Sequence, residues 1–301
     1  MYMNDRFYQF HQTYRINKLK YHELMNTNIY GGGNGKKDES QKKIEIYIMR
    51  HGESEANEAN ITQGSEYDTG LTQLGKEQSK KTGLYFKKFR LDNGNTHFDV
   101  IYSSPLKRSF ETAAIIKDIT HHDKDIIRDN RLIERSKGLL SGLDKNSPIV
   151  QSVIAEFNKL KPEDPIERYD RKISDKIYQK VSEKYKIDGE SDLELENRAS
   201  KFLEDIMSYN ITNNNYKILI VSHGAILAAM IRYMMNISWV PFVHSENCWL
   251  AYVTYDLKNI TKKSKNKNND RCNYRLASPP NTYHLELELE SNSDSIDIEL
   301  R

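Results

Sequence analysis

Two apolar runs, Ile44-Glu45-Ile46-Tyr47-Ile48-Met49 and Tyr216-Lys217-Ile218-Leu219-Ile220-Val221, each stop at one polar residue followed by His-Gly. β-branched and aromatic residues dominate both, and a short, nearly continuous apolar run suits a strand buried on both faces. A third run, Asp99-Val100-Ile101-Tyr102-Ser103, also ends in polar residues. Helical segments alternate with these strands. One starts around Leu71-Thr72-Gln73-Leu74-Gly75 with Thr72 as its N-cap and runs to about Arg90. Others are expected from Pro105 to about Ile119, over Ser191–Tyr209 and over Ala225–Met235. Alternating β and α units predict a mostly parallel sheet with helices on both faces, in which ligands sit beyond the carboxyl ends of the strands. Arg50, His51, Ser103 and His223 all fall at such ends.

The flanks read differently. Residues 1–30 are aromatic and basic, and Gly31-Gly32-Gly33-Asn34-Gly35 has the composition of a flexible linker, so an ordered domain is expected from about residue 44 to 256. Within it, residues 145–188 are polar, helical in flavour and broken by Pro162 and Pro165, an insertion suited to cap a site. Trp249–Tyr255 reads as the last strand. Residues 257–301 read as a low-complexity tail: the alternating Leu285–Leu289 run is compatible with an edge strand, but its charge favours a solvated segment.

Charge and composition exclude several function classes. Lys and Arg total 45 against 43 Asp and Glu, a net charge of +2, far from the excess expected of a dedicated nucleic-acid binder. The lysines of 262–267 read as a solvated loop rather than a nucleic-acid or membrane patch. No run of about 18 apolar residues could span a bilayer, and the N-terminal aromatics are interrupted by Asn4, Asp5 and Arg6. Cys248 and Cys272 are too few for a disulfide framework or a four-cysteine zinc site. A cytoplasmic protein with no membrane partner is expected.

Two histidines at separate strand ends, each followed by glycine (Gly52 and Gly224), say more than either alone, because glycine permits close approach of backbone and substrate. Arg50 and Arg108 supply guanidinium forks that can hold a tetrahedral phosphate in bidentate fashion, with Asn57 and the Ser54 hydroxyl available to complete the pocket. Neutral imidazole attacks phosphorus well, and cationic neighbours offset the charge on the equatorial oxygens. That chemistry makes His51 the nucleophile and Arg50, Arg108 and His223 the stabilising groups. The leaving alkoxide needs a proton, and Glu134 is the best-placed general acid, with Glu111 and Glu190 as neighbouring alternatives.

The string Arg50-His51-Gly52-Glu53-Ser54, with Asn57, resembles the signature of the phosphoglycerate mutase and histidine phosphatase superfamily. The resemblance continues through Leu71–Gly75, Ser103-Ser104-Pro105-Leu106-Lys107-Arg108, Leu132-Ile133-Glu134-Arg135 with Gly138, Gly189-Glu190-Ser191 and Ser222-His223-Gly224, spanning roughly residues 44–256. It implies a three-layer α/β/α sandwich and chemistry without metal. It also implies a phosphorylated His51, a phosphate pocket of Arg50, Asn57, Arg108 and His223, and Glu134 as proton donor. Gln63 and Gly64 match positions that often contact substrate in that family.

Two activities are compatible with the resemblance. Lys145 follows Glu134 at the spacing seen in cofactor-dependent phosphoglycerate mutases, which are primed by 2,3-bisphosphoglycerate. Those enzymes also carry an adjacent arginine pair in the insertion, whereas residues 146–188 offer only Arg168 and Arg171. A mutase must exclude water and clamp the substrate carboxylate; a phosphatase need not. The expectation is therefore a phosphomonoesterase acting on a small phosphorylated metabolite without a cofactor, with mutase activity as the alternative. A non-catalytic phosphate-binding scaffold is the third reading, disfavoured by the intact catalytic set.

Overall fold

A computed structural model describes residues 43–90, 98–163, 171–208, 216–236, 246–256 and 274–286. The expected N-terminal linker, Pro165, Arg168 and Cys272 lie outside the described residues.

The central sheet has six strands: β1 (Lys43–Arg50), β2 (Val100–Ser103), β3 (Ile127–Arg128), β4 (Tyr216–Ser222), β5 (Leu250–Asp256) and β6 (Tyr274–Asn281), in the order β3-β2-β4-β1-β5-β6. β3, β2, β4 and β1 run parallel, while β5 and β6 add antiparallel at one edge. The sheet is thus mostly parallel, as the alternating pattern predicts.

Strand periodicity divides the core into two faces. Ile44, Ile46 and Ile48 of β1 and Ile218 and Ile220 of β4 pack against two helices, α6 (Asp192–Ser208) and α7 (Gly224–Met235). Tyr47, Met49, Leu219 and Val221 face the opposite way, toward α2 (Gln73–Tyr85) and α3 (Lys107–Ile119), where Tyr85, Ala113 and Ile116 meet them. Both faces are covered, which is why the strands carry apolar residues at consecutive positions. The start of α2 obeys capping chemistry: Thr72 Oγ1 accepts from the Gly75 N–H at 3.0 Å.

The insertion forms α4 (Pro148–Leu160) and α5 (Arg171–Tyr185), with a small core of its own in which Val153, Ile177, Val181 and Ile187 meet. One expectation needs correcting. Trp249–Tyr255 is not the last strand, because β6 pairs with β5 inside the segment read as a tail. Pro279 and Pro280 concealed it, yet both are tolerated because β6 is an edge strand. Beyond β6, Leu285 belongs to a 3₁₀ turn, Tyr283–Leu285, rather than to an edge strand.

Candidate active site

The parallel register pairs Arg50 with Ser222, so the next residue of each strand, His51 and His223, emerges side by side. Backbone bonds hold the strand ends: His51 N–H donates to Ser222 O at 2.9 Å, and Cys248 N–H donates to His51 O at 3.1 Å. Gly52 is required here, since a Cβ would lie 2.4 Å from Gly75 O. At Gly224 a Cβ would meet nothing within 4 Å, so packing alone does not demand that glycine.

His51 is buried, with Nδ1 2.6 Å from Gly52 O. A carbonyl only accepts, so Nδ1 carries the ring proton and Nε2 keeps the lone pair. Burial first, then the charges of Arg50 and Arg108, holds this imidazole well below the usual histidine range. The ring is therefore neutral at physiological pH, as a nucleophile must be.

His223 lies with its ring centroid 5.1 Å from that of His51, and its Nε2 is 2.9 Å from Ser104 Oγ and 3.3 Å from Ser109 Oγ. In the tautomer where Nε2 accepts from the Ser104 hydroxyl, the ring proton lies on Nδ1. Among the described residues Nδ1 has no hydrogen-bond partner, so this N–H can donate to a phosphoryl oxygen. Burial, then Arg108, lowers this imidazole as well.

Arg108, on the first turn of α3, is almost fully buried. Its two terminal nitrogens donate to Gly64 O at 3.0 Å, Tyr67 O at 3.3 Å and Asp68 Oδ1 at 3.3 Å. Burial pulls its guanidinium down to about 10 against the opposing pull of Glu134 and Asp68, so it stays charged at neutral pH. Gly64 adopts φ +64 with its carbonyl on Arg108; a Cβ there would meet Glu66 Oε2 at 2.6 Å.

Glu134 follows the 3₁₀ turn Asn130–Leu132. Its Oε1 accepts from Arg135 N–H at 2.7 Å and its Oε2 from Ala225 N–H at 3.4 Å, in the first turn of α7. Its charge acts on both Arg50 and Arg108. Arg198 fixes the loop by donating to Arg131 O at 2.8 Å and Ile133 O at 2.7 Å. The two alternative carboxylates are otherwise engaged: Glu111 accepts from Leu71 N–H at 2.8 Å, and Glu190 is bound in bidentate fashion by Arg198.

The remaining sequence-derived residues divide by role. The Ser54 hydroxyl caps α1 (Glu55–Glu58) and lies 3.0 Å from Asn57 Oδ1 and 3.1 Å from Gln63 Oε1. Asn57 Oδ1 also accepts from Asn247 Nδ2 at 3.0 Å, which leaves the Asn57 amide donors for a ligand oxygen. Lys145 is exposed over most of its surface, but its ammonium end is partly covered, and that desolvation, then Arg50, lowers it. Sequence reasoning missed Ser104, Ser109 and Asn247, which orient His223, His51 and Asn57. Ser104 stands inside a matched motif, but nothing in the local pattern marks the other two.

A cleft of about 450 Å³ opens beside Glu134, walled by Ser136, Asp188, Gly189, Glu190 and Glu194. The end of the insertion is bolted to the Glu134 loop there: Leu139 N–H donates to Ile187 O at 2.9 Å and Glu190 N–H to Ser136 O at 3.1 Å. Gly138, at φ +52, permits this approach, because a Cβ would lie 1.8 Å from Ile187 O. Among the described residues no cluster of histidine, cysteine or carboxylate side chains is arranged to hold a metal ion, and no helix is long and apolar enough to cross a membrane.

The sequence model of the histidine phosphatase superfamily (branch 1) matches residues 46–268. The chain belongs to that superfamily. This histidine phosphatase superfamily member is 32% identical to a 2,3-bisphosphoglycerate-dependent phosphoglycerate mutase of Buchnera aphidicola subsp. Cinara cedri, over 74% of this chain and 98% of that one. It is 29% identical to phosphoserine phosphatase 1 of Hydrogenobacter thermophilus, over 66% of this chain and 80% of that one. Phosphoglycerate mutase from Bacillus anthracis shares the fold of this superfamily member, with TM-score 0.62 at 18% identity over 81% of this chain and 96% of that one.

Proposed function

We propose that the chain is a phosphomonoesterase that acts on a small phosphorylated metabolite through a phosphohistidine at His51. The observation that carries this reading is the His51 Nδ1 bond to Gly52 O at 2.6 Å, which leaves Nε2 as a neutral nucleophile within a buried cationic pocket.

His51 Nε2 attacks the phosphorus in line, forming an N–P bond as the bond to the leaving oxygen breaks. Arg50, Arg108 and the Nδ1–H of His223 hold the equatorial oxygens, with Asn57 adding a neutral donor. These donors are preorganised in a buried site, where each is worth more than in water. Glu134 gives its proton to the departing oxygen and then takes one from the water that attacks the phosphohistidine. The leaving group occupies the cleft beside Glu134, so the Glu134 loop and the junction of the insertion with α6, which line it through Ser136, Asp188, Gly189 and Glu190, set substrate preference while the pocket reads only the phosphate.

Mutase activity is the second reading, favoured by the Buchnera relative's name and by Lys145, whose ammonium feels Arg50. Under it, 2,3-bisphosphoglycerate would supply the priming phosphoryl group, and Arg50, Arg108 and Lys145 would hold its anionic groups. The missing adjacent arginine pair weighs toward hydrolysis.

A phosphate-release screen in chelator, across sugar phosphates, phosphoglycerates and phosphoamino acids, tests the proposal beside an assay for 3-phosphoglycerate to 2-phosphoglycerate isomerisation. Release without isomerisation is expected. Dominant isomerisation would make the chain a mutase, and silence in both would favour an anion-binding scaffold.

A further inference from the structure

Glu66 is an exposed glutamate in the loop between α1 and α2, outside every motif of the site. Its carboxylate nevertheless gathers four donors. Oε1 accepts from Ser65 Oγ at 2.8 Å and from Ser136 Oγ, and Oε2 accepts from Ser141 Oγ at 2.5 Å and from Lys137 N–H at 3.3 Å. Three of the four come from the loop that carries Glu134.

The two loops thus joined both serve the reaction. The Glu66 loop presents the Gly64 and Tyr67 carbonyls and the Asp68 carboxylate to Arg108. Its near end is already paired with the other loop by backbone bonds, Thr62 N–H to Leu143 O and Gly142 N–H to Thr62 O, both 2.8 Å. That pairing stops short of Gly64, where a left-handed glycine lies under the Glu66 carboxylate. Beyond that point Glu66 supplies the cross-links.

We propose that Glu66 is a positioning residue for phosphoryl transfer, clasping the loop that orients Arg108 to the loop that carries the proton donor Glu134. The inference rests on the phosphomonoesterase reading for its kinetics but not for its effect on anion binding. The serine hydroxyls donating to it hold its carboxyl at about 2 despite partial burial, so the clasp stays ionised across the working pH range. Misplacing a catalytic group by about 1 Å can cost up to about 10²-fold in rate.

The test compares Glu66→Ala, Glu66→Gln and a Ser136→Ala/Ser141→Ala double variant for calorimetric binding of inorganic phosphate and for kcat/KM on glycerol 3-phosphate and p-nitrophenyl phosphate, alongside Tm. Glu66→Ala is expected to weaken phosphate binding about threefold and lower kcat/KM about tenfold on the alkyl ester, with a smaller loss on the nitrophenyl ester, which needs Glu134 less. Glu66→Gln, which keeps an acceptor oxygen, recovers most of the loss, and Glu66→Ala adds far less than its full loss in the double-serine background, where only the Ser65 and Lys137 N–H bonds are left to it. Unchanged phosphate binding in Glu66→Ala, or additive losses in the serine background, would overturn the proposal. A wild-type protein that binds phosphate but hydrolyses neither ester would count against the phosphatase reading alone, and the phosphate-binding comparison would still decide the role of Glu66.

Discussion

His51 and His223 stand with ring centroids 5.1 Å apart, tilted by 60°, because the register between two parallel strands pairs the residues just before them. Register is what makes the pair possible: a one-residue slip would turn every side chain of one strand to the other face. The apolar residues flanking each histidine fix that register, since Ile46, Ile48, Ile218 and Ile220 are committed to one helical layer and Tyr47, Met49, Leu219 and Val221 to the other. Core packing and the placement of the proposed nucleophile are therefore one constraint.

Arg108 should not tolerate lysine. Its guanidinium is held by three acceptors and almost wholly buried, and an ammonium cannot reproduce that fork. Arg108→Lys is expected to lower kcat/KM by about 10²–10³, comparable to removing one oxyanion donor. Steady-state kinetics with inorganic phosphate as competitive inhibitor would show the inhibitor weakening in parallel; an unchanged inhibition constant would place Arg108 outside the phosphate pocket.

Glu134→Gln removes the proposed proton source and leaves the backbone contacts of the side chain able to reform, because a glutamine oxygen can still accept from Arg135 N–H. The loss should be large, on the order of 10²-fold, for an alkyl phosphate and much smaller for a nitrophenyl ester, whose leaving group departs unprotonated. Equal losses on the two substrates would remove Glu134 from the acid role.

His284 gives the protein an acid-sensitive stability. Its ring is buried against α2, with Nε2 3.0 Å from Thr82 Oγ1, and burial lowers it from 6.5 to about 3. The unfolded chain binds a proton here below pH 6.5 and the folded chain does not, so this contribution is complete above pH 6.5 and is lost as pH falls toward 3. The slope is about 1.4 kcal/mol per pH unit for this one group. Denaturant unfolding of His284→Asn between pH 6 and 4 should show proton uptake on unfolding reduced by about one; an unchanged slope would mean the folded state accommodates a charged ring.

What was legible in the sequence follows from how strongly each feature is over-determined. Arg50, His51 and His223 follow or end apolar runs rich in β-branched and aromatic residues, the pattern of buried strands, and Arg108 and Glu134 stand in matched motifs, so several signals coincide at each. The edge strand β6 carries Pro279 and Pro280, and half of its backbone groups have no partner strand, so its pattern looks like a tail. Ser109 and Asn247 act through side-chain hydrogen bonds set by tertiary structure, and Glu66 looks like any solvated loop carboxylate. The Ser54 hydroxyl, read as a pocket donor, is engaged in capping α1 and in its bonds to Asn57 and Gln63. Local capping and ligand binding draw on the same residue types, and sequence does not separate them.

The central claim is a phosphoryl group on His51, and mass spectrometry at alkaline pH, after brief incubation with a turned-over phosphate ester and a quench in alkaline denaturant, reads it most directly. The account predicts an acid-labile, base-stable phosphoryl adduct on the peptide containing His51, absent from His51→Ala, which should also lose all hydrolysis above background. Turnover that persists in His51→Ala, or an adduct found on another residue, would contradict it.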